Sequence, residues 1–139
     1  MAVLIDSSVI IAFFNKRDKN HRRAVDLLKE AMTHNYGLIF TSDYVIDETV
    51  TYLLKRIRRA DVAIRAGKFL LGNLEGFPDL FKIIFTNEDI FSRAWALFER
   101  LSKRGLSFTD CILLSIAKDY NLAIMTFDDD FSGLVSIIR

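Results

Sequence analysis

The sequence predicts an α/β fold in which a mainly parallel β-sheet of four to five strands carries helices on both faces. Three observations support this prediction. Short apolar runs alternate with longer segments whose apolar residues recur at helical spacing. The runs lack the polar alternation of half-exposed strands, which is typical of strands buried on both faces of a parallel sheet. Of the 139 residues, 51% are hydrophobic and 27% are charged, as in folded domains.

The first predicted strand and helices lie in the N-terminal third of the chain. The apolar run Ala2–Ile5 ends at Asp6, as expected of a buried strand that leads into a helix. Apolar residues at helical spacing then predict a helix over His21–Met32. A second strand is predicted over Leu38–Phe40, and the Thr41-Ser42 pair that follows it can cap the next helix.

Two further helices are predicted before the middle of the chain. Apolar residues from Ile46 to Ile57 follow one stripe at i, i+4, i+7 and i+11. The next helix is expected to begin at Ala60 and to end near Leu71, because Gly72 follows.

The second half of the chain repeats the alternation of strands and helices. Both of its helices carry apolar residues at helical spacing, and the second is apolar on most sides, as expected of a helix packed against a sheet. The predicted elements are the strand Leu80–Phe85, the helix Asn87–Arg104, the helix Ser107–Asp119, and the strands Leu122–Met125 and Leu134–Ile138.

Charge and cysteine content exclude several classes of protein. The chain carries 19 Lys and Arg against 18 Asp and Glu, a net charge of +1, which excludes a basic arm or a highly charged disordered chain. No segment approaches 18 uncharged apolar residues, so no membrane span is expected. The single cysteine, Cys111, cannot form an internal disulfide, which favours a reducing cytoplasm. A core of this size needs no disulfide or structural metal, so residues 1–139 are expected to form one domain.

Acidic residues follow the predicted strands at the edge where their carboxyl ends meet, which is where open parallel sheets bind ligands. The candidates are Asp6, Glu48, Asp110 and Asp128. Carboxylates crowded at one edge repel each other unless a cation compensates. Mg²⁺ or Mn²⁺, which prefers oxygen ligands, is the usual compensating ion.

Each acid also has a purely structural interpretation. Asp6 can cap the following helix, the segment Ser107–Asp110 resembles a capping box, and Asp128 lies in an Asp-rich turn. Glu48 lies nearly opposite the stripe through Ile46, so periodicity favours a solvated side chain. The alternative is that its flank of the helix, shared with Tyr44, Val45 and Tyr52, lines a cleft. Spacing alone leaves these alternatives open.

Taken together, the acidic segments resemble the four motifs of PIN-domain nucleases. The matching segments are Asp6-Ser7-Ser8-Val9-Ile10, Thr41-Ser42 with Asp47-Glu48, Ser107-Phe108-Thr109-Asp110, and Thr126-Phe127-Asp128-Asp129-Asp130-Phe131. Size and motif spacing are most similar to the VapC toxins of bacterial and archaeal toxin–antitoxin pairs. The resemblance runs from residue 3 to residue 131 and implies a single PIN-like domain.

The resemblance also implies roles for individual residues. The catalytic and metal-binding quartet would be Asp6, Glu48, Asp110 and Asp128, with Thr126 as a supporting polar residue and Asp130 as an auxiliary acid near the rim. Asp47 competes with Glu48 for its place, and Asp129 or Asp130 competes with Asp128.

The implied activity is that of a Mg²⁺- or Mn²⁺-dependent endoribonuclease that cleaves RNA with metal-activated water. The implied partners are an RNA substrate, a cognate antitoxin and a second copy of the chain, with contact surfaces on the helices between residues 42 and 71. Two alternatives are an RNA-processing PIN nuclease without an antitoxin and a non-catalytic protein-binding module. The candidate RNA-binding residues form the densest basic cluster, Lys55, Arg56, Arg58 and Arg59, which could equally be an ordinary solvated helix face.

Overall fold

The computed structural model describes residues 2–139, and a five-stranded sheet lies at its centre. The strands are β1 (Ala2–Ile5), β2 (Leu38–Ser42), β3 (Phe81–Ile84), β4 (Ala123–Met125) and β5 (Ile137–Ile138). Their order across the sheet is β3-β2-β1-β4-β5, and every described pairing is parallel. The predicted α/β fold with a parallel sheet is confirmed.

Within residues 2–139, six α-helices connect the strands, at places close to those predicted. They are α1 (Ser7–Phe14), α2 (His21–Met32), α3 (Asp43–Lys55), α4 (Ala60–Leu70), α5 (Glu88–Leu101) and α6 (Phe108–Tyr120). Short 3₁₀ turns follow α5 at Ser102–Arg104 and follow β4 at Asp129–Phe131. Among the helices described, none has the length and apolar character that a membrane crossing requires.

The fifth strand is shorter than predicted. The run from Leu134 to Ile138 is apolar, but only Ile137 and Ile138 pair with β4. The N–H of Leu134 instead donates to the carbonyl of Phe131 at 3.1 Å, in the turn that leaves the 3₁₀ segment. A local turn therefore takes the residues that apolar character alone assigned to a strand.

Both faces of the sheet are covered, because the side chains of a strand alternate between faces. Val3 and Ile5 of β1 pack into a core formed with α1, α2 and α4, whereas Leu4 packs into a second core with α5 and α6. All three side chains are fully buried. The predicted helices on both faces are confirmed.

An aromatic cluster fixes α1 against α4 and β3. The buried ring of Phe69 in α4 contacts Phe13, Phe14, Phe77 and Phe81 at centroid distances of 5.1–5.6 Å. Edge-to-face and offset-stacked contacts of this kind stabilise a core beyond simple burial. The cluster holds α1, the first helix after β1, in one orientation.

Candidate active site

The four predicted acids converge at the carboxyl edge of the sheet, where they line a cavity of about 230 Å³. We call it the acidic cavity. Its lining consists of Asp6, Ser7, Ser8, Ile11, Asp18, Asn20, Glu48, Tyr52, Asp110, Phe127 and Asp128. Among residues 2–139, no Lys, Arg or His belongs to this lining. The described residues therefore place no cation in the lining of the cavity to balance the carboxylates.

Asp6 is held at the end of β1 by hydrogen bonds to both of its carboxylate oxygens. Its own N–H donates to the carbonyl of Met125 at 3.0 Å and so continues the β1–β4 pairing. Its Oδ1 accepts the N–H of Ser7 at 2.8 Å, which caps α1. Its Oδ2 accepts hydroxyl hydrogen bonds from Thr126 at 2.7 Å and Ser8 at 3.0 Å. The capping interpretation of Asp6 is confirmed, and it coexists with a place in the cavity.

Thr126 and Ser8 join the first and last acidic segments. The buried Thr126 hydroxyl donates to Asp6 and accepts the N–H of Asp128 at 3.0 Å. The Ser8 hydroxyl donates to Asp6 and accepts the N–H of Phe127 at 3.0 Å. The sequence pointed to Thr126 but gave Ser8 no role, although it follows Asp6 in the first acidic segment. Together the two hydroxyls fix β1 and the segment after β4 in one geometry.

Asp110 belongs to the capping box that the sequence indicated. Ser107 Oγ accepts the N–H of Asp110 at 3.1 Å, and Asp110 Oδ2 accepts the N–H of Ser107 at 2.8 Å. These bonds fix a buried carboxyl group at the first turn of α6. Helix capping and a place at the cavity are therefore compatible for this residue as well.

The Asp-rich turn after β4 brings two acids to the site. Asp128 Oδ1 accepts the N–H of Asp130 at 2.9 Å. One carboxylate oxygen each of Asp110, Asp128 and Asp130 lies within 4.8 Å of the others. Asp129 is exposed and pairs with Arg139 instead. Asp128, rather than Asp129, therefore lines the cavity, and Asp130 is close enough to share a cation with its neighbours.

Glu48 lies in the cavity, so the solvated position that periodicity favoured is wrong. The buried residues of α3 are Val45, Thr49 and Leu53, and the first two lie one position before Ile46 and Val50 of the predicted stripe. Glu48 is about 60° from Val45 around the helix, since successive residues are about 100° apart. Its Oε2 is buried and accepts no hydrogen bond from the described residues. The neighbouring Asp47 is exposed and accepts from Thr51 at 3.3 Å, so only Glu48 reaches the site.

The environment of the cavity disfavours the ionised form of all four acids. Burial, together with the nearby charges of Asp6 and Asp128, raises the pKa of Asp110 to about 7. Burial raises the pKa of Asp6 despite the hydrogen bonds from Thr126 and Ser8, which lower it. Burial is the main cause that raises the pKa of Glu48, and the charge of Asp6 raises it as well. Burial also raises the pKa of Asp128, although the hydrogen bond from the N–H of Asp130 lowers it. The metal-free carboxyl groups thus resist joint ionisation.

This donor set fits a hard divalent cation. Its ligands are carboxylate oxygens, which Mg²⁺ and Mn²⁺ prefer. Glu48 Oε2 is a buried acceptor without a donor among the described residues, and such a group is expected to find a partner. A cation at the cavity would supply that partner and relieve the repulsion between the carboxylates.

The predicted RNA-binding residues lie outside the acidic cavity. Lys55 ends α3, Arg56 follows it, and both side chains are exposed. Arg58 adopts a left-handed backbone conformation with φ 61° in the turn between α3 and α4. Arg59 donates two hydrogen bonds to Asp61, at 3.0 and 2.8 Å. Its guanidinium is therefore already paired with a carboxylate.

A Thr126→Val substitution is expected to destabilise the protein by about 1–3 kcal/mol. The change keeps the shape of the side chain but leaves the Asp128 N–H without its acceptor and removes one of the two hydroxyl donors to Asp6 Oδ2. Thr49→Val is the matched control, because the Thr49 hydroxyl is equally buried but unpartnered among the described residues. Urea denaturation of both variants measures the difference. Equal losses of stability in the two variants would show that the Thr126 hydrogen bonds do not contribute to the free energy of unfolding.

Comparison with known proteins identifies the family of the chain. Residues 3–135 match the model of the PIN domain family. A VapC ribonuclease from Archaeoglobus fulgidus is 30% identical over 133 residues, which cover 95% of this chain and 80% of that protein.

Two solved structures share the fold. The VapC20 toxin of Mycobacterium tuberculosis, described as a sarcin-ricin loop cleaving toxin, aligns with a TM-score of 0.78 and 23% identity over 94% of this chain and 93% of that one. A chain of a toxin–antitoxin complex from Klebsiella pneumoniae aligns with a TM-score of 0.66 and 22% identity over 99% of this chain and 96% of that one. Given the family match over residues 3–135 and the VapC relative that spans nearly the whole chain, this protein belongs to the PIN domain family.

Proposed function

We propose that this protein is a divalent-metal-dependent endoribonuclease and the toxin of a toxin–antitoxin pair. The observation that carries the proposal is the convergence of Asp6, Glu48, Asp110 and Asp128 on one cavity that no Lys, Arg or His of the described residues lines. The relative named VapC ribonuclease and the structural similarity to toxins support the same conclusion.

The four acids would hold one or two Mg²⁺ or Mn²⁺ ions, with Asp130 as an additional ligand beside Asp110 and Asp128. Such an ion, when bound, lowers the pKa of water and balances the charge that develops on a phosphodiester. The chain's own residues contribute fixed positions. Thr126 and Ser8 hold the Asp6 carboxylate, and the capping box holds Asp110. Ligands held in advance in this way need little rearrangement during reaction.

Incubation of the purified protein with end-labelled single-stranded and hairpin RNA tests this proposal. Cleavage is expected with Mg²⁺ or Mn²⁺, with 5′-phosphate and 3′-hydroxyl ends, and none is expected with EDTA. Cleavage that is insensitive to EDTA would contradict the metal-dependent mechanism. An absence of cleavage with either metal would contradict the nuclease assignment and favour the protein-binding module.

An apolar groove between α3 and α4 is the surface that we assign to the antitoxin. It has a volume of about 600 Å³ and includes Leu54, Ile64 and Leu71, which are 45%, 59% and 50% exposed. Exposed apolar patches of this kind usually mark sites of protein association. The groove lies within the predicted contact region, residues 42–71.

An adjacent gene that encodes a small DNA-binding protein would favour the toxin role over an unpaired RNA-processing role.

An aromatic patch on α5 and α6 is the surface that we assign to the homodimer. Phe91 and Trp95 are 45% and 51% exposed, and both rings contact Phe108, at 5.1 and 6.0 Å between centroids. Phe108 contacts Tyr44 at 5.7 Å and lies two residues before Asp110. Phe108 therefore joins the patch to the first turn of α6, the turn that also carries Asp110.

Trp95→Glu is expected to convert the dimer into a monomer at micromolar concentration, as measured by sedimentation velocity. The monomer should remain folded, because half of the Trp95 surface is already exposed. Leu71→Glu places the same charge on the α3–α4 groove and should leave the dimer intact. A wild-type protein that sediments as a monomer would contradict the dimer assignment.

A further inference from the structure

A second cavity, of about 520 Å³, lies beside the acidic cavity and has the opposite charge. We call it the basic cavity. Its lining consists of Phe14, Asn15, Lys16, Arg17, Ile57, Arg59, Val62 and Arg65. Half of these side chains are cationic, and among the described residues no Asp or Glu belongs to the lining. Four cations around one cavity are expected to attract an anion.

Three of these cations are available to a ligand. Arg59 is bound to Asp61 through two hydrogen bonds. Lys16, Arg17 and Arg65 take part in none of the ion pairs found within residues 2–139. Asp18, which follows Arg17 in the chain, lines the acidic cavity instead, and its Oδ1 accepts the N–H of Asn20 at 2.8 Å. Within the described chain, an ion pair therefore neutralises only Arg59 of the four cations.

The floor of the basic cavity is apolar. Phe14, Ile57 and Val62 are each partly buried, and each contributes to the lining of the cavity. Proteins that bind single-stranded nucleic acids combine a cationic track for the phosphates with aromatic or apolar surface for the bases. The basic cavity offers both features within one concave surface.

The two cavities succeed each other along α1 and along the end of α3 with the turn that follows it. Ile11 of α1 and Tyr52 of α3 line the acidic cavity, whereas Phe14 of α1 and Ile57, just after α3, line the basic one. The step from one cavity to the next is three residues along α1, or about 4.5 Å at helical rise. The segment after α1 contributes to both linings. One continuous RNA strand can therefore occupy both cavities.

We propose that Lys16, Arg17 and Arg65 form a nucleotide-binding subsite for the RNA strand whose scissile phosphate lies in the acidic cavity. The proposal rests on the proposed nuclease function and assigns where that substrate is anchored. The subsite differs from the predicted basic cluster, because Lys55, Arg56 and Arg58 do not line the cavity and only Arg59 does. Phosphate contacts on one side of the cleavage point would set the register of the strand.

The test measures the affinity for a fluorescently labelled single-stranded RNA in EDTA, where cleavage is not expected. The double variant Arg17→Ala/Arg65→Ala is compared with Arg100→Ala/Lys118→Ala, which removes two exposed cations from the α5–α6 surface. The two double variants have the same net charge. We expect the first to weaken binding about tenfold and to lower the slope of log K against log salt by about 1.4, as for two lost phosphate contacts. The control should change affinity less than about twofold.

Cleavage by the wild type in Mg²⁺ or Mn²⁺ separates this proposal from the function on which it rests. If the wild type cleaves RNA and the two double variants bind RNA equally well, the subsite is overturned and the nuclease function stands. If the variants differ in RNA binding but the wild type does not cleave, the nuclease function is overturned and the basic cavity still binds RNA. If the first variant keeps its RNA affinity but loses affinity for a poly-glutamate probe, the cavity binds acidic protein and the RNA subsite is overturned.

Discussion

Asp110→Asn is expected to reduce RNA cleavage at least about 100-fold, the scale of losing one preorganised electrostatic group. The fold should survive, because the amide oxygen of asparagine can still accept the N–H of Ser107 in the capping box. The substitution removes only the negative charge and one oxygen that a cation would bind. Asp6→Asn should reduce cleavage to a similar extent, since Asp6, at the end of the central strand, is another of the acids that line the cavity. Initial rates of cleavage in Mg²⁺ and Mn²⁺ measure both losses.

Matched controls lie next to the acids in the sequence. Each control changes an exposed acid, and each test variant changes the neighbouring acid that lines the cavity. The control Asp47→Asn is compared with Glu48→Gln, and the control Asp129→Asn is compared with Asp128→Asn. Only Glu48→Gln and Asp128→Asn should lose activity. Full activity of Asp6→Asn and Asp110→Asn would contradict the nuclease mechanism, whatever the controls show.

The second large effect concerns stability in the absence of metal. In EDTA, we expect the free energy of unfolding to fall as the pH rises from about 4 to about 7. The pKa of Asp110 is near 3.8 in an unfolded chain and is raised to about 7 in the fold, so the folded state binds this proton more tightly. Stability is therefore greatest below the unfolded pKa and is lost as the pH rises through the folded one. For Asp110 alone the loss amounts to about 4 kcal/mol.

Divalent metal and the Asp110→Asn variant should each reverse this loss. Mg²⁺ or Mn²⁺ bound to the folded state stabilises it by mass action, so the wild type should become more stable at pH 8 when the metal is added. Asp110→Asn carries no charge to repel its neighbours and should be more stable than the wild type in EDTA at pH 8. Urea denaturation at pH 5 and pH 8, with EDTA and with metal, measures these differences. Equal wild-type stability at the two pH values in EDTA would contradict the prediction.

The sequence was sufficient to predict the fold because its local signals agree with the tertiary structure. The segment Ser107–Asp110 forms the predicted capping box at the start of α6. Helix α2 begins at His21 and ends at Met32, as predicted from its spacing. The weakest element was β5, where apolar character could not distinguish a strand from the turn that involves Leu134.

Local patterns were less informative about the site. The buried stripe of α3 includes Thr49, a polar residue whose hydroxyl has no partner among the described residues, so a search for apolar periodicity selected Ile46 and Val50 instead of Val45 and Thr49. This shift of one position led to the prediction that Glu48 faces solvent.

The basic cavity was missed for a different reason. It combines Lys16 and Arg17, which follow α1, with Arg65 of α4, and no sequence window contains all three.

The central position of β1 bears on when the acidic cavity forms. β1 pairs with β2 on one side and with β4 on the other, and the Thr126 hydroxyl that holds Asp6 comes from a residue 120 positions later. Contacts between such distant parts of a chain are slow to form during folding. A chain still being synthesised lacks Asp128 until its other three acids have been made, and a folding chain lacks the complete cavity until β4 docks beside β1. The acids therefore assemble late, and a half-made or half-folded protein does not contain the arrangement on which the proposed RNA cleavage depends.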